Sequence, residues 1–341
     1  MTPSPHDSCL LYRNKPSTII NDNTIPFGLS GLQTDDTLFL ANLSFAKLEK
    51  DKMNFLCKKR EKLTENHDLK FNGSLIRLEK GIINLLQKLQ CDKITSAIDQ
   101  NSYISQRARG AYVATMCQPE AAYDLSFAAQ IRDPQTIDIE RLNRRLAWQQ
   151  NNTSRGLKFI PLDIGTLKLV VFTDSSFHSN PDYSSQLGYV IALVDGEGKA
   201  NTIHWQSVKC KRVTKSVSAS ELYAISLGFD QGSALNFSIN SILKLPKPIP
   251  LIICTDSRTI FDCLTRLNTV QEKRLMIDIM CLREAYEKRE ITEIKWIPGK
   301  SNPADALTKS KNVSQALQKL VETNWVDLES SKWVEREIKA N

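Results

Sequence analysis

The chain has 341 residues, with 45 Lys plus Arg against 38 Asp plus Glu, 41% apolar and 24% charged residues, and a formal net charge of +7. That length suggests about two domains of roughly 150 residues each, and the composition excludes collagenous, mucin-like and wholly disordered chains. The longest apolar runs, 167–172 and 250–254, fall far short of the roughly 20 residues that a membrane helix needs, so no membrane span is expected.

The opening MTPSPHDSCLLYRNK lacks a basic lead and an adequate apolar region, so no secretory signal is expected. PFGLSGLQTDDTLFLAN reads as two short apolar strands joined at Asp35 and Asp36. On its own this is a weak signal, because Asp is a favoured turn residue. Eight cysteines are scattered without a Cys-x-x-Cys pair and only four histidines accompany them. Zinc is therefore not expected, and the several cysteines in apolar runs, such as Cys254 in LIIC, read as small reduced core residues of an intracellular protein. Residues 1–160 carry 22 basic and 17 acidic side chains and 161–341 carry 23 and 21, so neither half is a basic tail.

From residue 167 the pattern sharpens. LKLVVFT reads as a β-rich strand running into Asp174, Ser175 and Ser176, and SQLGYVIALVD and NTIHWQS supply two more strands joined through Gly196 and Gly198. SASELYAISLGFD then places Ala219, Leu222, Ile225 and Phe229 at helical spacing, with Ser216 or Ser218 as N-cap. PLIICTDS is a short continuous apolar run of the kind buried on both faces of a sheet, ending in Asp256. A helix from Arg258 to about Leu267 should follow, then a longer one over 270–290 with Leu275, Ile279, Leu282 and Tyr286 on one face. Its Lys and Arg residues alternate with acids and read as a solvent-facing mixture. TEIKWIP is the fifth strand, and Asn302 and Pro303 open a final short helix containing Asp305.

The predicted order is β-β-β-α-β-α-α-β-α. If the strands ending in Asp174 and Asp256 lie parallel and adjacent, both carboxylates emerge at their C-terminal ends, where ligands bind in open α/β sheets. Glu221 and Asp305 could complete a ring of four acids. Each acid alone has a plain structural reading as a turn former, cap or surface group, so the case rests on the set. Four converging carboxylates raise one another's pKa, and divalent cations resolve the repulsion. Oxygen-only ligation selects Mg²⁺ or Mn²⁺, and two such ions about 4 Å apart suit in-line hydrolysis of a phosphodiester.

TDSSFHSNPDYSSQLGYVIAL, SVSASELYA, LIICTDSRTIFDCL and NPADALTKS together resemble the ribonuclease H domain of Ty1/copia-type retrotransposon Pol polyproteins, over about 165–310. The resemblance implies an α/β fold with a ribonuclease H-like mixed five-stranded sheet and flanking helices. It also implies Asp174, Glu221, Asp256 and Asp305 as catalytic metal ligands and endonucleolytic cutting of the RNA strand of an RNA–DNA hybrid. One departure is the loop Pro298-Gly299-Lys300-Ser301-Asn302, which lacks the His that many ribonucleases H carry there. Lys300 has two readings, an electrostatic aid to product departure and, more simply, a solvated loop lysine.

Lys209, Lys211, Arg212 and Lys215 fall in seven residues without an acid and are candidate phosphate contacts. Ser175, Ser176, Gln186 and Ser220 are the polar neighbours suited to sensing a hybrid's 2′-hydroxyls. The hairpin around Asp35 and Asp36 resembles the palm hairpin of copia-type reverse transcriptases, with SCLLY before it and FNGSLI after it. QRARGAYVATMCQPEAAYDLSFAAQ is similar to the thumb-side helices and LNRRLAWQQNNTSRGLKFIPLD to the connection.

The expected organisation is a partial α+β reverse-transcriptase palm and thumb region over 1–130, a connection over 131–164, the ribonuclease H-like domain over 165–310 and a helical tail over 311–341. With its earlier palm aspartate and fingers absent, the polymerase part is expected to be inactive alone. A separate polymerase portion of Pol is a partner implied by the resemblance, as is residence in cytoplasmic particles or the nucleus. The alternative is a non-catalytic remnant that binds nucleic acid.

Overall fold

The computed structural model describes residues 1–13, 26–52, 60–266, 272–309 and 315–328. Strands β1 (Thr2–Pro3), β2 (Leu10–Tyr12), β3 (Gly28–Gln33) and β4 (Asp36–Ala41) pair antiparallel in that order. The β3–β4 hairpin follows the expected apolar runs, but its tip is Thr34–Asp35, with Thr34 at φ 53°, and Asp36 already pairs with Gln33.

After α1 (Leu43–Lys52), a second antiparallel sheet contains β5 (Leu69–Phe71), β6 (Ser74–Glu79), β7 (Ile82–Leu86) and β8 (Leu157–Phe159). Between β7 and β8 run α2 (Lys88–Cys91), α3 (Gln100–Met116), α4 (Ala122–Ala128) and α5 (Thr136–Asn151). Asp99 starts α3 with a capping box, its carboxylate accepting from Ser102 N at 2.7 Å, which satisfies an amide that the helix itself cannot. The stretch expected to be a connection thus supplies α5, packed on α3 and α4, and β8, which closes a sheet begun at Leu69.

The third sheet has β9 (Lys168–Ser176), β10 (Gln186–Val194), β11 (Ala200–Lys209), β12 (Leu251–Thr255) and β13 (Glu293–Trp296), in the order β11-β10-β9-β12-β13. The first three strands pair antiparallel, whereas β12 runs parallel to both β9 and β13. The continuous apolar runs of β9 and β12 are explained by burial on both faces. Val170, Phe172, Val190, Ala192 and Trp205 enter a core shared with α3, α4 and α5. Their alternates Leu169, Val171, Tyr189 and Ile191 enter a second core under α6 (Val217–Leu243), α7 (Arg258–Arg266) and α8 (Met276–Glu287). Each fully buried Val, Leu, Ile or Phe contributes about 1.5–3 kcal/mol, so the sheet is the energetic centre of both layers.

Ser216 caps α6, its Oγ accepting from Ala219 N at 3.2 Å. Gly228 lets α6 lie close to the sheet, because a Cβ there would stand 2.7 Å from Thr173 Cγ2. The expected helix over 270–290 begins as a 3-10 turn at Lys273–Leu275, then becomes α8, with Leu275, Ile279, Leu282 and Tyr286 all buried; residues 270 and 271 lie outside the described residues. The final short helix is a 3-10 turn, Pro303–Leu307, held by Asn302 Oδ1 accepting from Ala304 N at 3.1 Å. In the expected tail, α9 (Gln315–Thr323) buries Leu317, Leu320 and Val321 in the first core. Asn324 follows it, with Nδ2 donating to the carbonyls of Lys158 and Ala200 at 2.8 Å each, and so ties β8 to β11.

Candidate metal centre

The parallel register Thr173↔Thr255 sets Asp174 and Asp256 side by side at the C-terminal ends of β9 and β12. Glu221 reaches them from the second turn of α6, whose Ala219, Leu222 and Ile225 fix the helix on the sheet. One carboxylate oxygen from each of Asp174, Glu221 and Asp256 lies within 4.8 Å of the others. Asp174 is 2% exposed and Glu221 6%, and Asp256 is half-buried.

Burial and crowding determine the electrostatics. Asp174 is pushed up to about 7, first by burial and further by Asp256, with Lys309 opposing. Burial also holds Glu221 well above the usual carboxylate range, with Asp174 adding to it, and raises Asp256. Ser175 Oγ donates to Glu221 Oε1 at 2.9 Å, yet Glu221 Oε2 is buried without a hydrogen-bond partner. An orphaned acceptor costs about 1–3 kcal/mol, more when charged. Three close carboxylates with an unsatisfied oxygen and no nitrogen or sulfur donor fit a hard divalent cation.

The turn carrying Asp305 is pinned beside this trio. Asn302 Nδ2 donates to Thr173 O at 2.8 Å, and Thr308 Oγ1 donates to Asp174 Oδ2. Gly188 faces Asp174 across the β9–β10 ladder, where a Cβ would come within 2.8 Å of Leu307 Cβ and 2.9 Å of Thr308 Cγ2. The structure therefore gathers three of the four expected acids. Asp305 stands outside the tight group and pairs with Lys309, whose ammonium also lies 3.6 Å from Asp174 Oδ2. Burial works against the charge on Lys309, but Asp174 and Asp305 outweigh it and hold its pKa above the ordinary lysine value. Lys309 and Thr308 escaped the sequence reading; the available signal was Lys309 four residues after Asp305, the spacing of a helical ion pair.

The basic stretch divides. Lys209 pairs with Asp182, and Arg212 lies 3.2 Å from Asp278 and 4.9 Å over the Tyr223 ring. Lys211 and Lys215 are exposed, with no ion pair among the described residues. Gln186 is buried, its amide nitrogen donating to Ser126 and Ser207, so it joins elements and presents nothing to a ligand. Lys300 sits exposed in the turn Gly299–Ser301. Asp35 and Asp36 are exposed at the hairpin tip, and no third acid joins them in a metal-sized group among the described residues.

Three antiparallel strands followed by two parallel ones, with acids at the ends of the central pair and on the intervening helix, define a ribonuclease H-like domain. Over 163 residues the chain is 28% identical to Ty1 Gag-Pol polyproteins of Saccharomyces cerevisiae, including those of Ty1-JR2 and Ty1-MR1, a match covering 47% of this chain and 9% of each relative. The resemblance to Ty1/copia-type Pol expected from the motifs is borne out, while the chain spans only a small part of those relatives' length. No family model matches.

Among solved structures it is similar to an LC11-RNase H1 in complex with RNA/DNA hybrid, at 22% identity and TM-score 0.33, covering 44% of this chain and 99% of that one. It is also similar to RNase H1 from Halobacterium salinarum, at 19% identity and TM-score 0.32 over 45% and 98% of the two chains. A foamy viral protease-reverse transcriptase in complex with dsDNA gives 18% identity and TM-score 0.30 over 48% and 99%. Strand order and register, rather than these scores, define the fold.

Proposed function

We propose that this chain hydrolyses the RNA strand of RNA–DNA hybrids endonucleolytically, as the ribonuclease H part of a retrotransposon-type polyprotein. The observation that carries the proposal is the convergence of Asp174, Glu221 and Asp256 within 4.8 Å at the C-terminal ends of two parallel strands. These three would hold Mg²⁺ or Mn²⁺, with Asp305 joining once Lys309 turns aside. Two such ions, when bound, supply an activated water and stabilise the leaving oxygen. The protein's own part is to keep the acids in place: Ser175 orients Glu221, Thr308 orients Asp174, and Trp296 Nε1 holds the Asp256 backbone carbonyl at 2.9 Å.

Lys211 and Lys215 are the cations of the basic stretch best placed to meet phosphate, since Lys209 and Arg212 are already neutralised. Asp35 and Asp36 are exposed, with no third acid beside them among the described residues, and the proposed activity is hydrolysis. The test is incubation of the purified chain with labelled RNA–DNA hybrid and Mg²⁺ or Mn²⁺. Internal RNA cuts that vanish with chelator are expected. Folded protein that binds hybrid without cutting would replace this reading with the non-catalytic remnant.

A further inference from the structure

Away from the acids, α4 and α5 border a cavity of about 590 Å³ whose walls combine arginine with aromatic rings. On α5, Arg141, Arg144, Arg145 and Trp148 recur at i, i+3, i+4 and i+7 and so form one stripe, about 10 Å long at 1.5 Å per residue. Leu142, Leu146 and Gln149 are buried on the other side of the helix. Two of the guanidinium groups are already ordered on rings. Arg141 lies 3.9 Å from the Phe127 centroid and Arg145 4.9 Å from that of Trp148.

The carboxylates in the groove leave part of its charge unanswered. Asp124 takes Arg145 at 2.5 Å and lies 3.7 Å from Arg141. Asp138 is engaged by the cap of α5, accepting from Gln135 N at 3.0 Å. Arg144 remains exposed with no ion pair among the described residues, while Arg141 Nη2 is buried and turned toward Asp124 Oδ1. Exposed Arg144 can take an anion, and the flat guanidinium and indole surfaces suit flat partners. Single-stranded nucleic acid offers both, as phosphates and as unpaired bases that stack on arginine and aromatic planes. An acidic peptide would answer only the charge.

We propose that this groove binds a single-stranded stretch of nucleic acid, with phosphate on Arg144 and a base against Trp148. Helix α4 links the groove to the acids: Ser126 Oγ accepts from Gln186 Nε2 at 2.9 Å, and Gln186 pairs with Ser176, two residues beyond Asp174. The bound strand would accordingly be the flank of a hybrid lying over the acids. That placement rests on the proposed function, whereas strand binding does not.

The test uses the full chain and fluorescence anisotropy with labelled oligouridylate and oligothymidylate. Arg144→Glu should weaken binding about tenfold and reduce the salt slope by about one phosphate contact. Lys47→Glu makes the same charge change on an exposed residue of α1 and should leave binding as in the wild type. Equal losses in both variants, or no loss in Arg144→Glu, would overturn the groove. So would a polyglutamate peptide that competes as well as the oligonucleotides. Wild-type protein that fails to cut hybrid while Arg144→Glu still selectively weakens strand binding would retain the groove and remove only its link to cleavage.

Discussion

Lys309 holds its ammonium 3.6 Å from Asp174 Oδ2 while pairing with Asp305 one helical turn back. A protein side chain thereby supplies the positive charge that crowded acids require. Replacing it should expose what it compensates. Lys309→Met is expected to lower the melting temperature in chelator and to enlarge the stabilisation given by Mg²⁺. Identical Mg²⁺-induced shifts in variant and wild type would show that the lysine does not offset the acids.

The acids also set a pH dependence with a definite sign. Asp174 is held up to about 7 in the folded chain by burial, against about 4 when unfolded. A carboxyl raised in this way contributes stability that is complete below about pH 4 and is lost as pH rises through about 7. Glu221 and Asp256 shift in the same direction. In chelator, urea unfolding of the wild type should therefore weaken from about pH 5 to about pH 8 relative to Asp174→Asn. Parallel profiles for the two proteins would contradict the burial of Asp174.

The unequal placement of the four acids predicts unequal losses. Asp256→Asn should abolish cutting while hybrid binding persists, because it removes one of the three converging carboxylates. Asp305→Asn should cost less, about 10- to 100-fold, as expected for a group outside the tight set. Single-turnover cleavage of labelled hybrid ranks the two, and equal losses would place Asp305 among the indispensable ligands.

Gly188 is a packing test of the same region. Its missing Cβ is what allows Leu307 and Thr308 to sit over the β9–β10 ladder. Gly188→Val should cost about 1–3 kcal/mol through overpacking, and it should reduce cleavage by more than its stability loss implies, since Thr308 would leave Asp174. Denaturant titration beside a cleavage assay separates the two effects. A variant of normal stability and activity would show that the turn has room to move.

Much of the sheet was legible because burial leaves a periodic record. The continuous runs of β9 and β12, the spacing of Ala219, Leu222 and Ile225, and the Asn302–Pro303 start each follow from local physics and appear where expected. The acids Asp174, Glu221 and Asp256 were visible for the same reason, each being tied to an element end or face.

What sequence did not disclose depends on partners distant in the chain. Nothing in the local sequence announces that Lys209 and Arg212, expected as phosphate contacts, pair with Asp182 and Asp278. Lys309 carries no local signal of the turn that brings it to Asp174. The helices read as thumb-like proved to share a core with the five-stranded sheet, because a sheet face covered by α3, α4 and α5 carries no signature of which helices cover it.

The clasp at Asn324 bears on how such a gene would decay. A stop codon falling just after residue 314 would spare every acid of the centre, and a motif search would score the domain as whole. The shortened chain would nevertheless lose α9 from its core and the amide that joins β8 to β11. The core and the β8–β11 tie can therefore be lost from the carboxyl end while the motifs upstream remain unblemished.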